Sequence, residues 1–190
     1  MNKNVSLITL GCAKNLVDSE YLVTGLKHVG YKISDDINNS DTVIINTCGF
    51  LDIAREESIN KIIEIENKKK AGNVEKVIVM GCLSERYGDD LQKELPLIDK
   101  FFGSEDHEAV IKYISGKDFS LDDPDIIRAS LTPSHYSYLK IAEGCDNGCS
   151  FCSIPLMRGL QKSQPLRWNV EEAKRLASRG VKELLVIAQD

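Results

Sequence analysis

The sequence predicts an α/β protein with an open parallel sheet, and two observations support this prediction. Short runs of β-branched residues, bounded by turn residues, recur along the first part of the chain. Such runs are typical of strands that are buried on both faces of a parallel sheet. Helical patterns separate the runs, so strands alternate with helices as in βαβ units. The alternation extends over about 115 residues, an ordinary size for one domain.

Three strands are predicted in this part, and a cysteine follows each of them. Cys12 follows the run at residues 5–10, Cys48 the run at 42–47 and Cys82 the run at 77–80. Because parallel strands end at one edge of a sheet, we expect the three thiols to converge there. They would form a soft-metal site. Three buried structural cysteines are the alternative, since free cysteine is common as a small hydrophobic residue.

Four helices are predicted between and after these strands. Asp18 or Ser19 is expected to cap the first helix. The expected ends of the four helices are Gly30, Gly72, Pro96 and Gly116. Their apolar faces are marked by Leu22, Leu26 and Val29, by Ile59, Ile62 and Ile63, by Tyr87, Leu91 and Leu95, and by Val110, Ile111 and Ile114.

The remaining third of the chain has a different organisation. Residues 120–134 are rich in Asp, Pro and Ser, the composition of a linker. We therefore divide the chain into an α/β domain at 1–119, a linker at 120–134 and a second unit at 135–190. In this unit we expect a strand at 138–142, a helix capped by Asn169 with Glu172 in the capping-box position, and a strand at 184–188.

The second unit contains a C-x3-C-x2-C motif. Its cysteines are Cys145, Cys149 and Cys152, with Phe151 just before the third. Three thiolates on one short loop can hold three corners of a cubane iron–sulfur cluster, leaving one iron open to a substrate. A structural zinc site and three buried cysteines are the alternatives. Zinc sites usually have four ligands, and the nearest candidate for a fourth, His135, lies ten residues upstream.

Composition is consistent with a cytoplasmic enzyme. The chain has 190 residues and a net charge of −5. It contains no apolar run long enough to span a membrane and no basic cluster that indicates direct DNA binding. The apolar stretch before Leu10-Gly11-Cys12 is too short for a secretion signal, so six cysteines favour metal ligation over disulfides.

The motif at residues 145–152 resembles that of the radical S-adenosylmethionine (SAM) enzymes. With Cys12, Cys48 and Cys82, the whole chain resembles the methylthiotransferase branch of these enzymes, and the second unit resembles the truncated start of their (β/α) barrel. The resemblance implies two 4Fe-4S clusters, with all six cysteines as ligands and no further catalytic residue. The cluster at Cys145, Cys149 and Cys152 would bind SAM, with Phe151 in the cofactor site, and the other would carry the sulfur that is transferred.

Two segments resemble the RimO-type branch, which modifies the β-carbon of an aspartate in ribosomal protein S-twelve. They are Leu10-Gly11-Cys12-Ala13-Lys14-Asn15-Leu16-Val17-Asp18-Ser19-Glu20 and Ile154-Pro155-Leu156-Met157-Arg158-Gly159. The chain departs from the family at Gln164, where an arginine is usual. Glutamine cannot replace the charged, forked donor that arginine provides.

The resemblance also implies partners and leaves two alternative functions. The implied partners are ribosomal protein S-twelve as substrate and an electron donor such as a flavodoxin or a ferredoxin. Family members are longer, so we expect an amino-terminal fragment that is inactive alone. One alternative is a transfer-RNA methylthiotransferase acting on the modified adenosine next to the anticodon. The other is a non-catalytic iron–sulfur electron-transfer protein. The clusters of such a protein would be fully ligated, so two sets of only three cysteines argue against it.

Overall fold

A computed structural model describes residues 4–120 and 126–190. Its largest sheet has five parallel strands in the order β2-β1-β3-β4-β5. The strands are β1 (Asn4–Thr9), β2 (Lys32–Ile33), β3 (Thr42–Thr47), β4 (Lys76–Gly81) and β5 (Lys100–Phe101). The three predicted strands are the central ones, which confirms the α/β class with an open parallel sheet. The two edge strands are too short to give a sequence pattern.

Helices cover both faces of this sheet. They are α1 (Ala13–His28), α2 (Asp52–Lys70), α3 (Cys82–Glu94) and α4 (His107–Ser115), with a 3-10 turn at Ile37–Asn39. Leu22 of α1 and Ile111 of α4 pack on one face, while Ile62 of α2 and Leu83 of α3 pack on the other. Within the described ranges, each helix is too short or too polar to cross a membrane.

The predicted cap of the first helix is wrong. α1 begins at Ala13, and Cys12 precedes it in an extended conformation. Asp18 and Ser19 therefore lie inside the helix, where both are almost fully buried. Their side chains form hydrogen bonds with side chains from other elements, not with the backbone at the start of the helix.

The second part of the chain contains a βαβ unit, as expected for the start of a barrel. β6 (Tyr136–Lys140) pairs in parallel with β9 (Glu183–Ile187), and α6 (Leu166–Ser178) connects them. Between β6 and α6 lie β7 (Ala142–Glu143), α5 (Ile154–Arg158) and β8 (Lys162–Ser163), of which β7 and β8 pair antiparallel.

The predicted cap of α6 is also wrong. The helix begins three residues before Asn169, directly after Pro165. Pro165 precedes the helix with φ −55° and ψ 137°, and Leu166 is the first helical residue. Glu172 is buried and forms an ion pair with Arg128 (3.0 Å) instead of a capping box.

Part of the predicted linker packs tightly on α1. Residues 121–125 of the linker lie outside the described residues. Further along, Arg128 is only 4% exposed. The backbone N–H of Ala129 donates to Thr24 Oγ1 (2.7 Å), and that of Leu131 donates to Glu20 Oε1 (2.8 Å). The boundaries at 1–119, 120–134 and 135–190 stay a prediction.

Candidate functional site

The cysteines that follow the three central strands line one cavity at the carboxyl edge of the sheet. Cys12 lies in the loop after β1, Cys48 directly follows β3, and Cys82 is the first residue of α3. The cavity has a volume of about 960 Å³. Cys152, from the second part of the chain, lines the same cavity. One member of the second cysteine set thus faces the first set.

Asn15 connects the loops that carry these cysteines. Its side chain is fully buried, and its Nδ2 donates to the carbonyl oxygens of Leu10 (2.8 Å) and Thr47 (2.9 Å). Its Oδ1 lies 3.8 Å from Cys12 Sγ and 3.9 Å from Cys82 Sγ. One amide therefore holds the backbone just before Cys12 and just before Cys48. Its oxygen faces the sulfurs of Cys12 and Cys82.

Two glycines allow the close packing of this edge. Gly11 has φ +96°, and a Cβ there would lie 2.6 Å from Cys48 Cβ and 3.0 Å from Cys48 Sγ. Gly81 has φ +102°, and a Cβ there would lie 2.5 Å from Asn46 Oδ1. Other residues rarely adopt this left-handed conformation, and here they would also clash. The glycines before Cys12 and Cys82 are therefore part of the site.

The second cysteine set lies on the loop between β7 and α5. Cys145 is buried, Cys152 is half-buried and Cys149 is exposed. The backbone N–H of Cys145 donates to the carbonyl of Gly159 (3.2 Å), and that of Cys152 donates to the carbonyl of Cys149 (3.1 Å). Phe151 is 87% exposed. The start of the loop is thus held by Gly159, its end forms a local turn, and its middle faces solvent.

The spread of the sulfurs argues against a single zinc ion at either set. Within the described ranges, the three ligand atoms of neither set all lie within 4.8 Å of one another. Thiolates bind zinc at about 2.3 Å, so two of them on one ion are at most about 4.6 Å apart. A cubane cluster accepts a wider spread, because each thiolate binds a different iron. Soft donors around a cavity therefore fit a cluster better than one ion.

A buried ion-pair network lies beside the first cysteine set, and the sequence analysis did not predict it. Asp18 accepts from Lys140 Nζ (2.7 Å) and from Arg158 Nη1 (2.7 Å). Lys140 also donates to Glu143 Oε2 (2.6 Å). Carboxylate oxygens of Asp18, Glu105 and Glu143 lie within 4.8 Å of one another, a spacing that could hold a metal ion. The two cations occupy this acidic cluster, which is therefore an ion-pair network and not a metal site.

Burial and charge shift the pKa values in this region. Burial alone would raise the pKa of Asp18, but Lys140 and Arg158 outweigh it and hold that pKa well below its usual range. Burial raises the pKa of the Cys82 thiol to about 11, although the nearby Arg158 guanidinium opposes the shift. Asp18 is thus held as a carboxylate between two cations.

Arg128 forms a second bridge between the two parts of the chain. Its Nη1 lies 3.2 Å from Glu20 Oε2 of α1, and its Nε lies 3.0 Å from Glu172 Oε1 of α6. Its Nη2 donates to the carbonyl of Tyr138 in β6 (2.6 Å). A residue that the sequence assigns to a linker is thus a buried junction of three elements.

Gln164, where the resemblance leads us to expect an arginine, lies near the ion-pair network. Its side chain lines a neighbouring cavity of about 590 Å³ together with Lys140 and Trp168. Its backbone N–H donates to the carbonyl of Ile141 (2.8 Å). This backbone bond does not depend on which side chain is present.

Comparison with known proteins identifies the family. The profile of "Uncharacterized protein family UPF0004" matches residues 4–103, more than half of the chain. The chain belongs to this family. The matched residues contain the five-stranded sheet and all three strand-end cysteines.

Curated relatives match the UPF0004 chain over nearly its whole length. The "Ribosomal protein uS12 methylthiotransferase RimO" of Cytophaga hutchinsonii is 48% identical over 190 residues, 98% of this chain and 43% of its own. The protein of that name from Flavobacterium johnsoniae is 48% identical over 100% of this chain and 44% of its own. The one from Bacteroides fragilis is 46% identical over 99% and 44%. These relatives confirm the predicted resemblance to RimO-type methylthiotransferases, and the chain spans less than half of their length.

The structure gives a physical role to the segment of the UPF0004 chain that suggested this resemblance. Between residues 10 and 20, the polar side chains of Lys14, Asn15, Asp18 and Glu20 are all buried. Lys14 Nζ donates to the carbonyl of Ala142 (3.0 Å), and the other three bind residues described above. The segment therefore attaches the first part of the chain to the second and, through Asn15, organises the loops of the strand-end cysteines.

Proposed function

We propose that the full-length protein is a radical SAM methylthiotransferase of the RimO type. Its substrate would be an aspartate of ribosomal protein S-twelve, modified at the β-carbon in the cytoplasm. The observation that carries the proposal is the cavity lined by Cys12, Cys48, Cys82 and Cys152, members of two separate three-cysteine sets. The names of the relatives support the substrate.

All six cysteines have an assigned role in this proposal. One 4Fe-4S cluster would be held by Cys12, Cys48 and Cys82, and the other by Cys145, Cys149 and Cys152, with Phe151 in the cofactor-binding site. When bound, the clusters and SAM supply the one-electron chemistry that starts reaction at an unactivated C–H bond. The division into an α/β domain at 1–119, a linker at 120–134 and the start of a barrel at 135–190 belongs to the same proposal.

The side chains around the cavity would exclude water and hold its two walls together. Phe50, Leu51 and Ala54 line it from one side, and Ile154 and Met157 from the other. Apolar walls favour this chemistry, because water would compete with the substrate for an open iron. Ser104 Oγ donates to the carbonyl of Met157 (2.7 Å), which fixes α5 on the first part of the chain.

Iron content tests the two-cluster assignment. After anaerobic reconstitution, the full-length protein should contain about eight irons, four for each cubane cluster. Changing Cys145, Cys149 and Cys152 together to Ala should halve this number, and so should the same change at Cys12, Cys48 and Cys82. Tight zinc binding without iron uptake at either set would contradict the proposal.

Two assays separate the proposed function from its alternatives. Incubation with ribosomal protein S-twelve and, separately, with transfer RNA should give methylthiolation of the protein alone. The reverse result would indicate a transfer-RNA methylthiotransferase. The reconstituted enzyme should also bind SAM, which an electron-transfer protein with closed clusters would not do.

A further inference from the structure

Arg158 directs its guanidinium at three different partners. Nη1 donates to Asp18 Oδ2 (2.7 Å), Nη2 to Asn15 Oδ1 (2.6 Å) and Nε to Cys82 Sγ (3.1 Å). The residue is only 6% exposed. The guanidinium is planar, and two buried oxygens fix its Nη1 and Nη2 atoms. The Nε–H is therefore held in position against Cys82 Sγ.

The partners of Arg158 are themselves fixed. Asn15 is held by the carbonyls of Leu10 (2.8 Å) and Thr47 (2.9 Å), and Asp18 is held by Lys140 Nζ (2.7 Å). Arg158 is the last residue of α5, which begins two residues after Cys152. The segment that follows the second cysteine set therefore places a cation against a sulfur of the first set.

The second set has a different environment. Among the described residues, the side-chain hydrogen bond to one of its sulfurs is that from Asn147 Nδ2 to Cys145 Sγ, at 3.5 Å. Asn147 is a neutral amide, and this contact is longer than the one made by Arg158. Hydrogen bonds from charged donors are about twice as strong as those between neutral groups. The first set thus has a charged donor where the second has a neutral one.

We propose that Arg158 is a positioning residue that raises the reduction potential of the cluster held by Cys12, Cys48 and Cys82. The proposal rests on the proposed function, since it requires that cluster. Reduction adds negative charge to a cluster and its thiolates. Hydrogen bonds to the sulfurs and nearby positive charge stabilise the reduced form, so they raise the potential.

The test measures the potential of this cluster alone. The starting protein is the full-length chain with Cys145, Cys149 and Cys152 changed to Ala, which leaves only the first cluster. Arg158→Lys and Arg158→Gln are added separately, and a redox titration is followed by electron paramagnetic resonance. We expect the potential to become more negative in both variants. The shift should be larger for Gln, which removes the positive charge, than for Lys, which keeps the charge but lacks the planar guanidinium.

Arg128 provides a matched control. It is 4% exposed and forms ion pairs between the same two parts of the chain, through Glu20 (3.2 Å) and Glu172 (3.0 Å). If the loss of any buried arginine between the two parts of the chain shifted the potential, Arg128→Lys and Arg128→Gln would shift it as the Arg158 variants do. We expect both Arg128 variants to keep the potential of the starting protein.

The possible failures can be told apart. If the starting protein takes up no iron, the proposed function fails at this site and the present inference fails with it. If the Arg158 variants keep four irons and an unchanged potential, this inference alone is overturned. If Arg158→Gln does not retain iron, Arg158→Lys decides: a potential equal to that of the starting protein overturns the inference, and a more negative one supports it.

Discussion

Arg158 Nη1 lies 2.7 Å from Asp18 Oδ2, in a contact that joins side chains 140 positions apart in the chain. Both residues are almost fully buried. Buried ion pairs contribute less to stability than apolar packing of the same volume, because both charges lose their hydration. Removing one partner is nevertheless costly, since the other charge stays buried. The contact therefore fixes how α1 and α5 meet.

We expect Asp18→Asn to destabilise the protein strongly. The variant leaves Lys140 and Arg158 buried with too little negative charge around them. Breaking a buried pair in this way costs about 3–5 kcal/mol of the free energy of unfolding. Urea denaturation followed by circular dichroism measures this loss.

An exposed carboxylate serves as the control for Asp18. Asp90 Oδ1 lies 3.1 Å from Lys93 Nζ, and the Asp90 side chain is 77% exposed. Asp90→Asn should change the free energy of unfolding very little, because exposed pairs are well hydrated. Equal losses of unfolding free energy in the two variants would show that the buried network at Asp18 contributes no more to stability than an exposed ion pair.

Stability should fall in acid because of Asp18. Its pKa in the folded protein lies below the ordinary value of 3.8, since Lys140 and Arg158 outweigh the effect of burial. A carboxylate with a lowered pKa stabilises the fold above its unfolded pKa, and the contribution is lost as the pH falls towards the folded pKa. The difference in unfolding free energy between wild type and Asp18→Asn should therefore be largest near neutral pH and shrink below about pH 4.

Urea titrations at several pH values test this acid dependence. Glu20 cannot produce it, because burial raises its pKa despite the opposing charge of Arg128. A carboxyl group with a raised pKa takes up a proton more readily in the folded state, which has the opposite sign. A difference that stays constant between neutral pH and about pH 3 would argue against a lowered pKa at Asp18.

Gly11→Ala should disrupt the first cysteine set. A Cβ at Gly11 would lie 2.6 Å from Cys48 Cβ, so the loop or Cys48 must move. Gly30→Ala is the control, because Gly30 has nearly the same φ, +97°, but has no atom within 4 Å of the added carbon. Backbone strain of about 1–2 kcal/mol is common to both variants. We expect iron loss at the first set only in Gly11→Ala, and equal iron contents would show that the close approach to Cys48 is unimportant.

Single cysteine variants should separate the roles of the two sets. In the full-length enzyme, Cys149→Ala should abolish cleavage of SAM to 5′-deoxyadenosine. Cys48→Ala should retain this cleavage but stop methylthio transfer to the ribosomal protein, which mass spectrometry detects. Methylthiolation by the Cys48 variant would show that Cys12, Cys48 and Cys82 are not the sulfur-donor site.

The central sheet could be predicted from the sequence because its signals are local. The β-branched runs before Cys12, Cys48 and Cys82 identify the strands, and the rule that parallel strands end at one edge places the cysteines. The two-residue strands Lys32–Ile33 and Lys100–Phe101 have no such signal, since pairing with neighbours defines them.

The ion-pair network could not be predicted in the same way. Charged residues in a helix usually face solvent, so Asp18 is most simply interpreted as a cap. Its partners Lys140 and Arg158 lie 122 and 140 positions away, and no local pattern connects them. Arg128 is a similar case, because a segment rich in Asp, Pro and Ser is typical of linkers. One signal was available: polar residues at 14, 15, 18 and 20 fall among the apolar residues that mark the buried side of this helix.

The sequence separation within the network has a consequence for biosynthesis. A nascent chain leaves the ribosome from its amino terminus, and amino-terminal domains generally fold first. The five-stranded sheet is complete at Phe101, before Arg128, Lys140 and Arg158 have been synthesised. Asp18 and Glu20 can therefore be buried with their partners only after Arg128, Lys140 and Arg158 have left the ribosome. We expect the pairing of these two carboxylates with their cations to follow the formation of the sheet.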